Sequence, residues 1–211
     1  MKLHRRALQS PLLCTALLVA LALLPSSCLS GREPKFAAKA APALGPPDSL
    51  SPAECAQLAE GDFILSWGRQ ASGAVIAGSM AERWPVSHCG ILVGDGAGFQ
   101  VIHACMGLLS DQAVDGVQVD PLARFCADSR PDSLLVTRLR APSAARRAMA
   151  AQAREYLRRR VPFDRRYELA DDRALYCTEL TWRLVTAATG EDFFQRAGLP
   201  VGDKAFLPFS A

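Results

Sequence analysis

The sequence predicts an α+β domain, on three observations. Short runs of β character fill the first half of the chain behind an apolar leader, and two helical patterns follow in the second half. Strands first and helices later is the order of an α+β domain rather than of a parallel α/β sheet. Two of the strand runs are separated only by "GDGAG", whose glycines and Asp95 supply a hairpin turn. The chain has 211 residues, half of them hydrophobic, which suits one ordinary core.

The N-terminus precedes that domain. "MKLHRR" is a basic head and "LLCTALLVALALL" an apolar run of signal-peptide length, too short for a confident membrane span. "LLPSSCLS" resembles the end of a bacterial lipoprotein signal, with Ser26 and Ser27 just before Cys28, although Pro25 stands where such signals usually carry leucine. Residues 1–28 are read as a signal peptide with lipidation at Cys28. Simple cleavage and a retained anchor are the alternatives. An exported, membrane-anchored lipoprotein on the periplasmic side of the bacterial envelope is the expected location. Residues 29–52 are rich in Ala, Pro and Ser without a hydrophobic period and read as a flexible tether. Residues 53–211 form one domain with no internal repeat.

Within it, "GDFILSW" is a short strand entered through a Gly-Asp turn, and "SHCGILV" and "FQVIHAC" are the arms of the hairpin. "GVQVDPL" is a strand stopped by Pro121, and "SLLVTRLR" has the content of a buried strand. "SAARRAMAAQAREYLRRR" is helical, with Ala145, Met149, Tyr156 and Leu157 able to face inward and its arginines on a solvated face. Lys and Arg number 24 against 21 Asp and Glu, so charge does not call for nucleic acid. After the loop "VPFDRRYELADDRAL", the run "YCTELTWRLVTAATG" repeats Cys177, Leu180, Leu184 and Ala187 at helical spacing and ends at Gly190.

The chain holds three histidines, and two of them, His88 and His103, sit near the ends of the hairpin. With Asp95 to Gly98 as the loop, Gly94 meets Phe99 and His88 lies opposite Cys105. His103 is then the diagonal neighbour of His88 on the same face, about 7–8 Å away between backbones. Gly90, beside His88, leaves room for another group to approach. Of seven cysteines, Cys14 and Cys28 belong to the leader. The other five are an odd number in an exported domain, where a free reactive thiol is one reading. Cys177 stands at a helix start, where backbone N–H groups and the helix dipole stabilise a thiolate. A nearby imidazole can take its proton, and a second polar group can fix the tautomer of that imidazole.

"GDFILSWG", "VSHCGILVGDG", "VIHA", "GVQVDPL" and "PFDRRYELADDRALYCTELTW" together resemble the YiiX/YebB-type branch of the NlpC/P60 cysteine hydrolases, from about Gly61 to Gly190. The resemblance implies a circularly permuted papain-like fold, an antiparallel sheet or barrel packed on helices, with the histidine strand preceding the cysteine helix. It implies Cys177 as nucleophile, His88 as base and His103 as the third polar residue, without metal or cofactor. At that third position the branch more often carries glutamate, as "VIEA". A neutral His103 can orient His88 but stabilises an imidazolium less than a carboxylate does.

The function expected is hydrolysis of an amide bond, peptide or N-acyl, with peptidoglycan peptides or acyl-amide lipids as substrates and Tyr176 lining the pocket. Three rivals stand beside it. One is a zinc site on His88, His103 and Cys105, which no metal-ligand spacing supports. The others are a lipid-directed thiol acyltransferase or esterase and an inactive binding module.

Overall fold

Five strands pair into one antiparallel sheet in the order β4-β3-β2-β1-β5. They are β1 (Phe63–Ser66), β2 (His88–Val93), β3 (Gln100–Cys105), β4 (Gly116–Pro121) and β5 (Leu135–Thr137). The helices are α1 (Pro52–Cys55), α2 (Ala71–Ser79), α3 (Leu122–Ala127), α4 (Ser143–Arg159), α5 (Cys177–Thr189) and α6 (Phe193–Arg196). This computed structural model describes residues 46–79, 84–94, 98–110, 112–198 and 207. The chain divides into Met1–Ala41 and Pro42–Ala211, and every described residue belongs to the second unit. The leader and Cys28 lie outside the described residues.

Alternation along the strands sorts side chains onto two faces. Phe63, Leu65, Ile91, Val93 and Ile102 join Met149, Ala153 and Tyr156 of α4 and Leu180, Leu184 and Val185 of α5 in the larger core. Ile91, Ile102, Leu180 and Leu184 are each 1% exposed, and burying such a side chain stabilises by roughly 1.5–3 kcal/mol. On the opposite face, Ile64, Leu92 and Val101 pack with Phe125 and Cys126 of α3. The α4 arginines meet acidic partners at the surface: Arg154 with Glu60, Arg158 with Glu155, Arg159 with Asp172. That is a solvated basic face, as its spacing suggests.

The hairpin has the expected register, with Gly90 paired to His103, Ile91 to Ile102 and Val93 to Gln100. Four readings change. The "SLLVTRLR" strand is not buried: β5 is a three-residue edge strand paired only to β1, and Leu135 is 41% exposed. The inward stripe of α5 runs through Leu184 to Ala188 rather than Ala187, because eleven residues, not ten, return a helix to the same face. The end of the proposed tether is packed. Leu50 joins the α3-side core, Asp48 accepts from Ser133 N at 3.2 Å, and Ser51 caps α1 in a reciprocal box with Glu54. The fourth is α2, in a segment that carries no helical period.

Candidate active site

Cys177 is the first residue of α5, and the loop before it is tied down from both sides. Leu175 N donates to Pro162 O (2.9 Å) and Asp164 N to Leu175 O (3.2 Å). The Asp164 carboxylate closes the turn by accepting from Arg166 N and Glu168 N, each at 2.7 Å. Arg183, paired with the buried Glu179 at 2.8 Å, also holds the loop through the carbonyls of Leu169 and Asp171. Tyr176 is the N-cap residue but offers no side-chain cap. The first N–H groups of α5 are therefore left for the sulfur and for a reacting oxygen.

His88 opens β2 and His103 lies on β3, on the sheet face that carries α3. His88 Nε2 and His103 Nδ1 are 2.8 Å apart, and His103 Nε2 is 3.0 Å from Asp120 Oδ2 on β4. Gly90 explains the approach. A Cβ there would stand 2.5 Å from Val101 Cγ1 and 3.1 Å from His103 Cβ, so the space beside His88 belongs to His103. Phe125 stacks on His88 at 5.6 Å between ring centroids and meets His103 edge-on at the same separation.

The carboxylate fixes the direction of this line. Gln112 Nε2 lies 2.5 Å and Arg124 Nε 3.3 Å from Asp120 Oδ1. The hydrogen bond from His103, with help from those neighbours, holds Asp120 below its ordinary range. An ionised carboxylate only accepts, so His103 Nε2 carries the proton. Gln118 Nε2 approaches the same nitrogen only to 3.4 Å. His103 Nδ1 then accepts from His88 Nε2–H. The His88 Nδ1 lone pair is left for Cys177, whose thiol His88 helps to hold down. Burial pushes His103 down to about 4 against the pull of Asp120, so the middle ring is neutral at neutral pH.

The Cys177 thiol is held well below its ordinary value. A hydrogen bond with Cys89 is the largest cause; burial opposes it; His88 and Thr178 N–H add to it. Cys89 moves the other way, raised by the same bond and by burial. Of the two, Cys177 is the one that ionises more readily, because it alone has the helix start and the imidazole.

The structure thus brings together Cys177, His88 and His103. Tyr176 does not join them. It is fully buried among Leu169, Phe194 and Leu207, its hydroxyl accepting from Leu207 N at 3.1 Å, and it does not border the cavity beside His88 and His103. Cys105 borders the same cavity as Ser66, Gln70, His88, His103 and Asp120, but its sulfur points to Met106 O at 3.5 Å. Asp120 and Cys89 are the residues that sequence reasoning missed. Asp120 was visible only as a charge beside Pro121 in a strand, and Cys89 only as one of five domain cysteines. Among the described residues no group of three or more His, Cys, Asp or Glu side chains is placed to hold a metal ion. The direct contact of His88 with His103 leaves no room for one between them.

No family model matches the chain, and no curated protein matches it. Among solved structures it is similar to the crystal structure of the metalloprotein yiiX from Escherichia coli O157:H7, DUF1105. The two share 23% identity over 64% of this chain and 69% of that one, with a TM-score of 0.50. At that identity the likeness is one of fold, and it relates this α+β architecture to that of yiiX.

Proposed function

We propose that the domain is a cysteine hydrolase of the cell envelope that cleaves an amide bond, peptide or N-acyl, through an acyl-enzyme. The observation that carries this reading is the polarised line from Asp120 through His103 and His88 to a thiol at a helix start. The chain order, histidine strand before cysteine helix, suits a circularly permuted papain-like enzyme. The signal-like leader supports an address outside the cytoplasm, where peptidoglycan peptides and acyl-amide lipids would be the substrates in reach.

In this mechanism His88 Nδ1 takes the Cys177 proton and the sulfur attacks the carbonyl carbon. N–H groups at the start of α5 receive the developing oxyanion. The His88 imidazolium, its Nε2–H held by His103, protonates the leaving nitrogen as the C–N bond breaks. Neutral His88 then deprotonates water, which attacks the thioester, releases the acid and restores the thiol. Asp120 takes no proton; it keeps His103 in the tautomer that accepts from His88. The metal in the relative's name finds no counterpart in these residues, and no step here uses one.

The purified protein, incubated with peptidoglycan fragments and with acyl-amide lipids and analysed by mass spectrometry, should give a free acid and a free amine from one class. Cys177→Ala should abolish the products. Products that persist in Cys177→Ala would refute the reading, and an acylated acceptor in place of the acid would make the protein a transferase.

A further inference from the structure

A cavity of about 120 Å³ lies beside the relay. His88 and His103 border it; Cys177, which belongs to the core on the other sheet face, does not. Its apolar walls are Ile76 of α2, Leu109 of the β3–β4 loop and Phe125 of α3. Each wall is held in place. Gly73 lets α2 lie against the end of β1, since a Cβ there would stand 2.6 Å from Gly68 O and 3.1 Å from Ser87 Oγ. The loop is fixed by Gln70 Nε2, which donates to Leu109 O at 3.3 Å, and by Ser110 Oγ, which donates to Gln118 Oε1 at 2.7 Å. Gln112 Nε2 ties it again, to Val119 O at 3.0 Å. Phe125 is 4% exposed and stacked on His88. The cavity is therefore formed in advance, and close-packed walls of this kind set a size limit.

Building on the cysteine-hydrolase reading, we propose that this cavity is the subsite for the leaving amine, and that it admits only a short, largely apolar substituent. In that reading the acyl carbon is bonded to Cys177 Sγ, while the leaving nitrogen takes its proton from His88. A substrate lying across the pair keeps its acyl half at the sulfur and its amine half at the imidazole. The cavity adjoins the imidazole and not the sulfur, so it faces the amine half. An apolar cavity of about 150 Å³ holds one benzene ring. A space slightly smaller takes the side chain of alanine, valine or leucine and excludes an indole. The substrate class is thereby narrowed to amides whose nitrogen carries a small amino acid or a similar short amine.

The same subsite works in reverse. An amine held there attacks the thioester carbon of the acyl-enzyme and gives its proton to His88. The C–S bond breaks, and an amide and the free thiol result. The test acetylates the full chain with para-nitrophenyl acetate in the presence of alaninamide or tryptophanamide at equal free-amine concentration. The ratio of acetyl-amide to acetate is read by mass spectrometry, after subtraction of the same reaction with Cys177→Ala. Alaninamide should give a ratio at least about tenfold above that of tryptophanamide. Ile76→Ala should bring the two amines within about threefold, and Leu109→Ala should act in the same direction. Circular dichroism establishes that each variant is folded, and if one is not, the other decides. Equal ratios for the two amines in the parent would overturn the proposal. So would alaninamide that yields only acetate, or a size preference unchanged in every folded variant. A parent no faster than Cys177→Ala with the ester removes the nucleophile itself, a different failure from an acetyl-enzyme indifferent to the size of the amine.

Discussion

Replacing Asp120 by Asn tests the relay at its far end. The substitution keeps size and removes charge, but it also reverses hydrogen-bond direction. Gln112 Nε2 and Arg124 Nε both donate to the Oδ1 position, so the amide oxygen settles there and its NH2 faces His103 Nε2. That nitrogen must then accept, which moves the His103 proton to Nδ1. His88 Nε2 becomes the acceptor, and the His88 proton is left on Nδ1, aimed at the thiol it should deprotonate. Two losses follow. The carboxylate lies no more than about 8 Å from His88 Nε2 along the two bonds of 2.8 and 3.0 Å, and at an effective dielectric constant near 20 its charge stabilises an imidazolium there by about 2 kcal/mol. That alone is on the order of 30-fold in rate. The inverted tautomer adds to it, and a wrong tautomer of a catalytic imidazole in a serine protease lowers turnover by about 10⁴-fold. A combined loss of at least about 10³-fold is expected, measured as turnover on the substrate class identified above and as iodoacetamide reactivity of Cys177 near neutral pH, with an unchanged circular dichroism spectrum. A folded Asp120→Asn variant within about threefold of the parent in both assays would refute the ordering of protons, since the charge alone should cost more than that.

Other expectations follow from the same geometry. His103→Ala should lower turnover and leave the fold intact, while His103→Glu should keep substantial activity and extend the alkaline limb of the pH–rate profile, because a carboxylate beside His88 favours the thiolate–imidazolium pair; full activity in His103→Ala would make that ring packing only. Gly90→Ala places a methyl 2.5 Å from Val101 Cγ1 and 3.1 Å from His103 Cβ, so activity should fall well beyond the loss in melting temperature, and equal losses would deny the site effect. His103 is buried with its folded value near 4 against 6.5 ordinarily. The unfolded chain therefore binds its proton first, and stability should fall as pH drops from about 6.5 to 4, by up to about 3 kcal/mol; denaturant titrations in that window should show a shallower fall for His103→Gln. Tyr176→Phe removes the bond to Leu207 N and should cost about 1 kcal/mol of stability with no kinetic effect; a raised KM would return Tyr176 to the pocket wall.

What the sequence revealed depended on how local the information was. The hairpin register followed from a four-residue loop, which leaves little freedom in how two strands align, and with it came the meeting of His88 and His103. Asp120 did not follow, because ten residues separate β3 from β4 and no tight turn sets their offset. Only the pairing of Val101 with Asp120 and of His103 with Gln118 brings the carboxylate beside the ring. That contact also bears on the histidine at a position where the resemblance leads one to expect glutamate: a negative charge is present, one imidazole further out. Cys89 was hidden for a related reason, since alternation put it on the face away from His88, while its partner Thr181 lies 92 residues on in the chain. The edge character of β5 and the helix α2 escaped because neither exposure nor helicity leaves a period in runs so short or so uniformly small and apolar.

The line of imidazoles crosses the sheet rather than running along it: His88, His103 and Asp120 sit on β2, β3 and β4 in turn. Each link exists only while two neighbouring strands are paired in one register, and a slip of one residue turns a link to the other face. The line of groups therefore depends on three strands being paired at once. Before the strands pair, Cys177 is an ordinary thiol, and the line of groups that faces it exists only once the sheet is complete.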